Sequence, residues 1–226
     1  MQIEILPFLD SKVTAAEFLE VSVKVWPVAW FKGRITEKFW DSMIEKNVDL
    51  RFVCIVDNRL AATFILARVE RTSAPFVNLP DQGWEWVLET SVSDASSDSK
   101  IVSAISMNIL PEYRGNHLSS KILFFGKNYL KAKGMKYLIA PVRPSLKSKY
   151  PLIPMGEYIT WKLPSGSGIF DSWLRVHIQA GASIINICHR SMVITGGSRE
   201  WLEWTGVEAI GPGNYLIPEG LVPVTP

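Results

Sequence analysis

The sequence predicts a mixed α/β protein, and three observations carry that expectation. Apolar runs rich in β-branched and aromatic residues, at 51–56, 60–69 and 101–110, alternate with stretches whose apolar residues recur at helical spacing. Apolar residues make up 47% of the chain and charged residues 20%, the balance of a chain that packs a core. The length, 226 residues, fits one large domain or two small ones. The longest apolar stretches, 60–67 and 25–31, are interrupted by Thr63 and Pro27. Both fall well short of the roughly 20 residues that a membrane span needs. The opening MQIEILPFLD has no basic segment and carries Glu4 and Asp10, so no secretory signal is expected.

Taken in order, residues 3–8 read as a short strand. Ala15–Val25 and 36–46 read as helices, the second with Phe39, Met43 and Ile44 on one face and Thr36 as its N-cap. Arg51–Val56 and 60–69 form a strand pair joined by a turn at Asp57, Asn58 and Arg59. Residues 72–100 are irregular, with a helix near 84–90 and an exposed loop in SDASSDSK. Residues 101–110 are apolar on both faces and read as a central strand. A helix follows at 116–133, with Leu118, Ile122, Phe125 and Tyr129 on its apolar face and Gly134 as its stop. Residues 137–141 are the next strand, and a loop rich in Pro, Ser and Lys leads to Met155. A helix at 170–180, one long or two short strands at 183–195, a short helix at 199–205 and a Pro/Gly-rich tail complete the chain.

Two cysteines, Cys54 and Cys188, are too few for a disulfide framework or a zinc knuckle. They read as buried thiols in strands and point to a reducing cytoplasm. Cys188 and His189 are adjacent, and neighbours on a strand face opposite ways, so they do not read as a catalytic pair. No metal site is expected. Net charge is only +2, but residues 113–156 hold nine basic side chains and no acidic one. A single-sign block of that length points to an anionic ligand or partner. The block lacks interleaved aromatics and any nucleic-acid motif, so nucleic acid is not the expected partner.

The segment ISMNILPEYRGNHLSSKIL places a tight Arg-Gly turn between a central strand and an amphipathic helix. Free N–H groups and the positive end of a helix dipole make such a turn a cradle for pyrophosphate. Pro111, Tyr113, Arg114 and Gly115 resemble the acyl-CoA-binding signature of the GNAT acyltransferase superfamily. His117 and Ser119 stand at the two signature positions that follow, and His117 replaces the first signature glycine. The resemblance implies a GNAT fold: a central mixed, mostly antiparallel sheet, flanked by helices and splayed at the acyl-CoA site. It implies CoA contacts at Ile109, Leu110, Arg114, Gly115, Asn116, His117, Leu118, Ser119 and Ser120. The order of elements matches that fold to about residue 141, with the remainder of a single 1–226 domain completing the substrate tunnel.

Three further segments, PVRPSLKSKYPL, FDSWLRVHIQAGASI and HRSMVITG, resemble a narrower branch. It includes the GNAT-like loading domains of polyketide synthases such as the curacin type. That likeness implies decarboxylation of malonyl-CoA and transfer of the acyl group to an acyl carrier protein, with no membrane involved. The residues it implies are Ser145, where the branch carries Thr, and His177, with Arg190 and Trp40 as further site candidates. The chemistry fits those types: an enolate needs hydrogen-bond donors and a proton source, and histidine supplies protons near neutral pH. Two alternatives stay open, an ordinary N-acetyltransferase of a small amine and a non-catalytic GNAT-fold binding module.

Overall fold

A computed structural model describes residues 1–70, 76 and 79–225. Part of the irregular segment expected at 72–100, namely 71–75, 77 and 78, lies outside the described residues. Five strands form one sheet in the order β1 (Ile3–Pro7), β2 (Arg51–Val56), β3 (Arg59–Arg68), β4 (Ile101–Ile109) and β5 (Tyr137–Ile139). All neighbours are antiparallel except β4 and β5, which run parallel. The sheet is mixed and mostly antiparallel, as the sequence predicts.

Two residues, Asp57 and Asn58, turn the β2–β3 hairpin, and both have positive φ (46° and 64°). That is the backbone that best matches the twist of a hairpin, and Asn and Asp tolerate it. Arg59 already belongs to β3, pairing with Val56. Helix α1 (Ala15–Val25) opens with a reciprocal cap: Glu17 N–H donates to Thr14 Oγ1, and Thr14 N–H donates to the Glu17 carboxylate. Helix α2 runs Arg34–Lys46, so it starts two residues before the expected cap. Gly33 takes the cap position, and Thr36 lies in the first turn with its hydroxyl turned inward and without a hydrogen bond.

Helices α3 (Gly83–Ser91) and α4 (Leu118–Ala132) lie near their expected places. The core forms on both sides of the sheet. Phe52, Phe64, Leu66 and Val102 pack against Leu118, Ile122 and Leu123 of α4. Val53, Ile65 and Ile105 pack with Phe18, Met43 and Leu88 of the helices α1, α2 and α3. Gly126 lets α4 press onto the sheet, since a Cβ there would meet Phe64 Cε1 at 2.7 Å.

The C-terminal third departs furthest from expectation. No strand forms at 183–195; that segment lies across the start of α3 and spends its hydrogen bonds there. Glu85 N–H donates to the Ser191 carbonyl, Trp84 N–H to Ser191 Oγ, and His189 and Val193 N–H to the carboxylates of Asp81 and Glu85. Cys188 is therefore not in a strand, although Cys54 is buried in β2 as expected. The 137–141 strand shortens to three residues because its ladder on β4 ends at Ser103, and Pro141 has no N–H to extend it. Helix α6 covers Ser172–Gln179, and its cap is Asp171, whose carboxylate accepts from the N–H groups of Trp173 and Leu174. A one-turn helix α5 (Met155–Tyr158) precedes it, and α7 (Ser198–Thr205) follows. The loop around SDASSDSK is mostly exposed but pinned, with Ser96 buried and bonded to the Ser91 and Ser93 carbonyls.

Candidate functional site

The site begins at an irregularity in β4. Between Ile65 and Leu66 the register on β4 jumps from Ser106 to Ala104, leaving Ile105 as a bulge. A bulge bends a strand and frees its backbone groups. The Ile105 carbonyl is taken by Trp84 Nε1 at 3.0 Å. On its other flank β4 pairs with β5 only over Ile101–Ser103. From Ala104 onward the two strands share no ladder, which is the splay expected of the acyl-CoA site.

Beyond the bulge, Ile109 still pairs with Ala62, and Leu110 N–H donates to the Ala61 carbonyl. A 3-10 turn at Pro111–Tyr113 follows, and Arg114 folds back so that Nε donates to the Ile109 carbonyl at 3.2 Å. Asn116 ties the turn from inside by donating to the carbonyls of Tyr113 and Arg114. Gly115 (φ 81°) and His117 (φ 55°) both adopt left-handed backbone, and nothing lies within 4 Å of where a Gly115 Cβ would stand. This curl delays the start of α4 to Leu118, two residues after the expected point.

His117 occupies the cap position with no side-chain cap bond, and the first turn of α4 holds no acidic residue. The N–H groups of Leu118, Ser119 and Ser120 belong to that first turn, where a helix has no internal acceptors for them. Arg114, Gly115, Asn116, His117 and Ser120 are exposed, Ser119 is half-buried and Leu118 is buried. The cradle thus has open space, donors and positive charge together, which fits a pyrophosphate. A larger cavity, about 120 Å³, lies beside Leu110, but Glu17 and Glu20 share its rim with Lys24. Its carboxylates suit phosphate poorly.

A second concavity lies on the α1–α2 side of the sheet. It holds about 30 Å³ and is walled by Trp26, Trp30, Phe31, Trp40, Trp84 and Met192, with hydroxyls from Ser22, Thr36 and Ser106. Its rings are fixed in place. Trp40 stacks on Trp84 with centroids 6.2 Å apart, and Trp26 Nε1 donates to Asn108 Oδ1 at 2.7 Å. Asn108, buried, in turn donates to Ser22 Oγ at 2.8 Å.

Of the four residues offered as catalytic, one lines this cavity. Trp40 lines the aromatic cavity. Arg190 is exposed, with its N–H on the Asp81 carbonyl, and only its neighbour Met192 reaches the cavity. Ser145 and His177 are not among the lining residues of that cavity and instead share α6. Ser145 Oγ bonds Ser172 Oγ at 2.9 Å at the start of the helix, and His177 lies five residues further on. Sequence reasoning missed the group that ties the 145–146 loop to the start of α6. Asp171, 1% exposed, accepts from Leu146 N–H and Tyr158 O–H as well as from the first turn of α6. An Asp directly before a helical apolar pattern is an N-cap signal, so this residue was within reach of the sequence.

His177 is half-buried, edge-on to Trp173 with centroids 4.3 Å apart, and Nδ1 lies 2.9 Å from the Trp173 carbonyl. A carbonyl only accepts, so Nδ1 carries the proton and Nε2 is the basic nitrogen. Burial pushes the pKa below its ordinary 6.5, and the bond to Trp173 offsets part of that. Burial and the neighbouring Asp81 push the Cys188 thiol pKa up, which disfavours its thiolate. Among the described residues no helix is long and apolar enough to cross a membrane, and no cluster of three His, Cys, Asp or Glu side chains could hold a metal.

The chain matches no protein-family model. It is 25% identical to the arginine N-acetyltransferase avaD of Aspergillus versicolor, over 88% of this chain and 78% of that protein. The loading GNATL domain of CurA from Lyngbya majuscula superposes with a TM-score of 0.59 at 18% identity, covering 81% of this chain and 86% of that one. The GphF GNAT-like decarboxylase in complex with isobutyryl-CoA gives a TM-score of 0.56 at 11% identity, covering 85% and 95%. With its bulged and splayed fourth strand, Arg-Gly turn and signature helix, this chain has the GNAT fold.

Proposed function

We propose that the chain is an acyl-CoA-dependent acyltransferase that delivers its acyl group to a nitrogen of a small molecule. The observation that carries the reading is the Arg114–Ser120 turn, with three first-turn N–H groups, two left-handed residues and no acidic neighbour in the helix turn. In this reading the pyrophosphate lies on that turn, and the pantetheine follows the unpaired flank of β4. The single 1–226 chain works as one domain whose residues beyond 140 complete the tunnel. Transfer forms a C–N bond, breaks the C–S bond to CoA, and moves a proton from the nitrogen to a base. A His177 that is neutral at pH 7 with Nε2 unprotonated suits that base role. Likeness to a named arginine N-acetyltransferase over most of both chains supports the choice of nitrogen.

A second reading is malonyl-CoA decarboxylation in polyketide initiation, with delivery to an acyl carrier protein. It is favoured by the likeness in fold to a loading domain and by the Ser145 hydroxyl held at the start of α6.

Calorimetric titration with acetyl-CoA tests the shared core of both readings. Arg114→Glu should weaken binding by at least about 1.4 kcal/mol, tenfold, from the worth of charge-assisted bonds. Unchanged affinity overturns the cradle. Product mass spectrometry with arginine, and separately with malonyl-CoA and a holo carrier protein, assigns the acceptor. If His177 is the base, kcat/KM falls as pH drops below 6.5 and His177→Ala flattens that limb. A limb that persists in the variant removes the histidine from the mechanism.

A further inference from the structure

The inference here rests on the acyltransferase reading and names a recognition residue outside the site just described. Arg143 follows β5 in the PVRPS loop, and its guanidinium lies over the Trp30 ring at 5.2 Å from the centroid. Trp30 is a wall of the aromatic cavity. The guanidinium is half-buried and donates from Nη2 to the Glu219 carbonyl. The Glu219 carboxylate accepts from Ser148 Oγ at 3.3 Å and attracts the guanidinium without forming a salt bridge to it. Among the described residues Arg143 forms no salt bridge, whereas Arg68 is paired with Asp49 at 2.6 Å. A guanidinium has five donors, and the burial of Arg143 outweighs the attraction of Glu219, so its charge is incompletely compensated, which is costly.

Two neighbouring facts turn that cost into a ligand. First, the cavity holds an unpartnered polar atom of its own, Thr36 Oγ1, on a residue only 7% exposed. Second, none of its lining residues is charged. An anion there finds no charge in the lining itself, and the Arg143 guanidinium lies against the Trp30 ring that forms part of that lining. Arg51 provides the contrast. It too is buried beside rings, 4.4 Å from the centroid of Phe8 and 5.5 Å from that of Phe18, but neither of those rings lines a cavity, whereas Trp30 does.

We propose that Arg143 receives the carboxylate of a substrate at the Trp30 wall of the aromatic cavity, and so sets the preference for a carboxylated substrate over its decarboxylated counterpart. A planar carboxylate suits the fork of a guanidinium already oriented by a ring face and a carbonyl. Two sources present that group, a malonyl thioester or an amino-acid acceptor.

The experiment has one arm for each source. Dissociation constants are measured for malonyl-CoA against acetyl-CoA, and for arginine against agmatine in the presence of CoA. Wild type should prefer the carboxylated member in one arm by at least about tenfold. The arm that shows the preference names the source. Arg143→Gln should bring that ratio close to one, and Arg143→Lys should restore part of it. A purely structural role would weaken both members of a pair alike and leave their ratio intact, and that result overturns the assignment. So does a wild type that binds acetyl-CoA but prefers the carboxylated member in neither arm. A wild type that fails to bind acetyl-CoA sinks the acyltransferase reading and this assignment with it.

Discussion

The two ends of this chain are held together by different physics. Up to β5, most buried side chains are aliphatic or aromatic residues on strands and helix faces, and the backbone bonds lie in ladders and helices. Among the described residues beyond 140 the longest helices have eight residues and the only strand pairings are isolated bridges, Lys162 with Ile169 and Tyr215 with Val224. There, buried polar groups do the organising. Asp171 gathers four donors from the 145–146 loop, Tyr158 and α6. Lys147, fully buried, donates to the Tyr150 and Leu221 carbonyls and ties the tail to the loop. Around them Tyr150, Tyr158, Trp161 and Phe170 form an aromatic cluster with centroid spacings from 5.0 to 6.2 Å. Dispersion holds the first region and specific hydrogen bonds hold the second.

If that contrast is right, the largest single loss comes from the sheet. Phe52 is fully buried and meets Phe64, Phe125 and Tyr129 at 4.9 to 6.1 Å. Phe52→Ala should destabilise the protein by about 3–5 kcal/mol in urea unfolding, since the ladders resist collapse into the void. A loss near 1 kcal/mol would mean that the sheet is not the rigid half.

Next in size comes the polar node. Asp171→Ala removes the acceptor for four donors and should cost about 3 kcal/mol, the upper range for a hydrogen bond to a charged group. The damage should be local. Hydrogen exchange should speed at the Leu146, Trp173 and Leu174 amides and leave β2 and β3 unchanged. Asp171→Asn keeps an acceptor and should recover part of the stability. Uniform acceleration across the sheet would erase the distinction between the two regions.

The same contrast explains what was legible in the sequence. Periodicity found the ladders and α1, α3 and α4, because alternation and helical spacing are local signals of burial. It failed at 183–195, where an apolar run satisfies its backbone on Asp81 and Glu85 of another segment and forms no ladder. Ile184 and Ile185 stay exposed as a result. The Arg-Gly turn was legible because its donors are adjacent in sequence. The aromatic cavity was not, since Trp26, Trp40, Trp84 and Met192 come from four separate segments. Arg143 went unchosen because one arginine among nine basic residues carries no sign in the sequence that it is half-buried against a tryptophan and outside any salt bridge.

The smallest expected effect falls on the one residue in the well-specified half that defies its local preference. His117 holds φ 55°, ψ 21° at the cap of α4, where the GNAT signature has glycine. A side chain in that region costs about 1–2 kcal/mol relative to right-handed backbone. Glycine removes that strain but loses about 0.5–1 kcal/mol more chain entropy on folding. The two nearly cancel, so His117→Gly should change stability by no more than about 1 kcal/mol, with a gain the expected sign. Binding separates the roles of the residue more sharply. The imidazole is exposed beside the first-turn N–H groups, so removing it opens the backbone to a pyrophosphate. If His117 only occupies a glycine position, the variant should bind acetyl-CoA as tightly as wild type or tighter. If the ring itself holds phosphate, the variant should bind more weakly. Calorimetric titration of both proteins with acetyl-CoA distinguishes the two, and a weaker complex would show that this turn needs its histidine as more than a substitute for glycine.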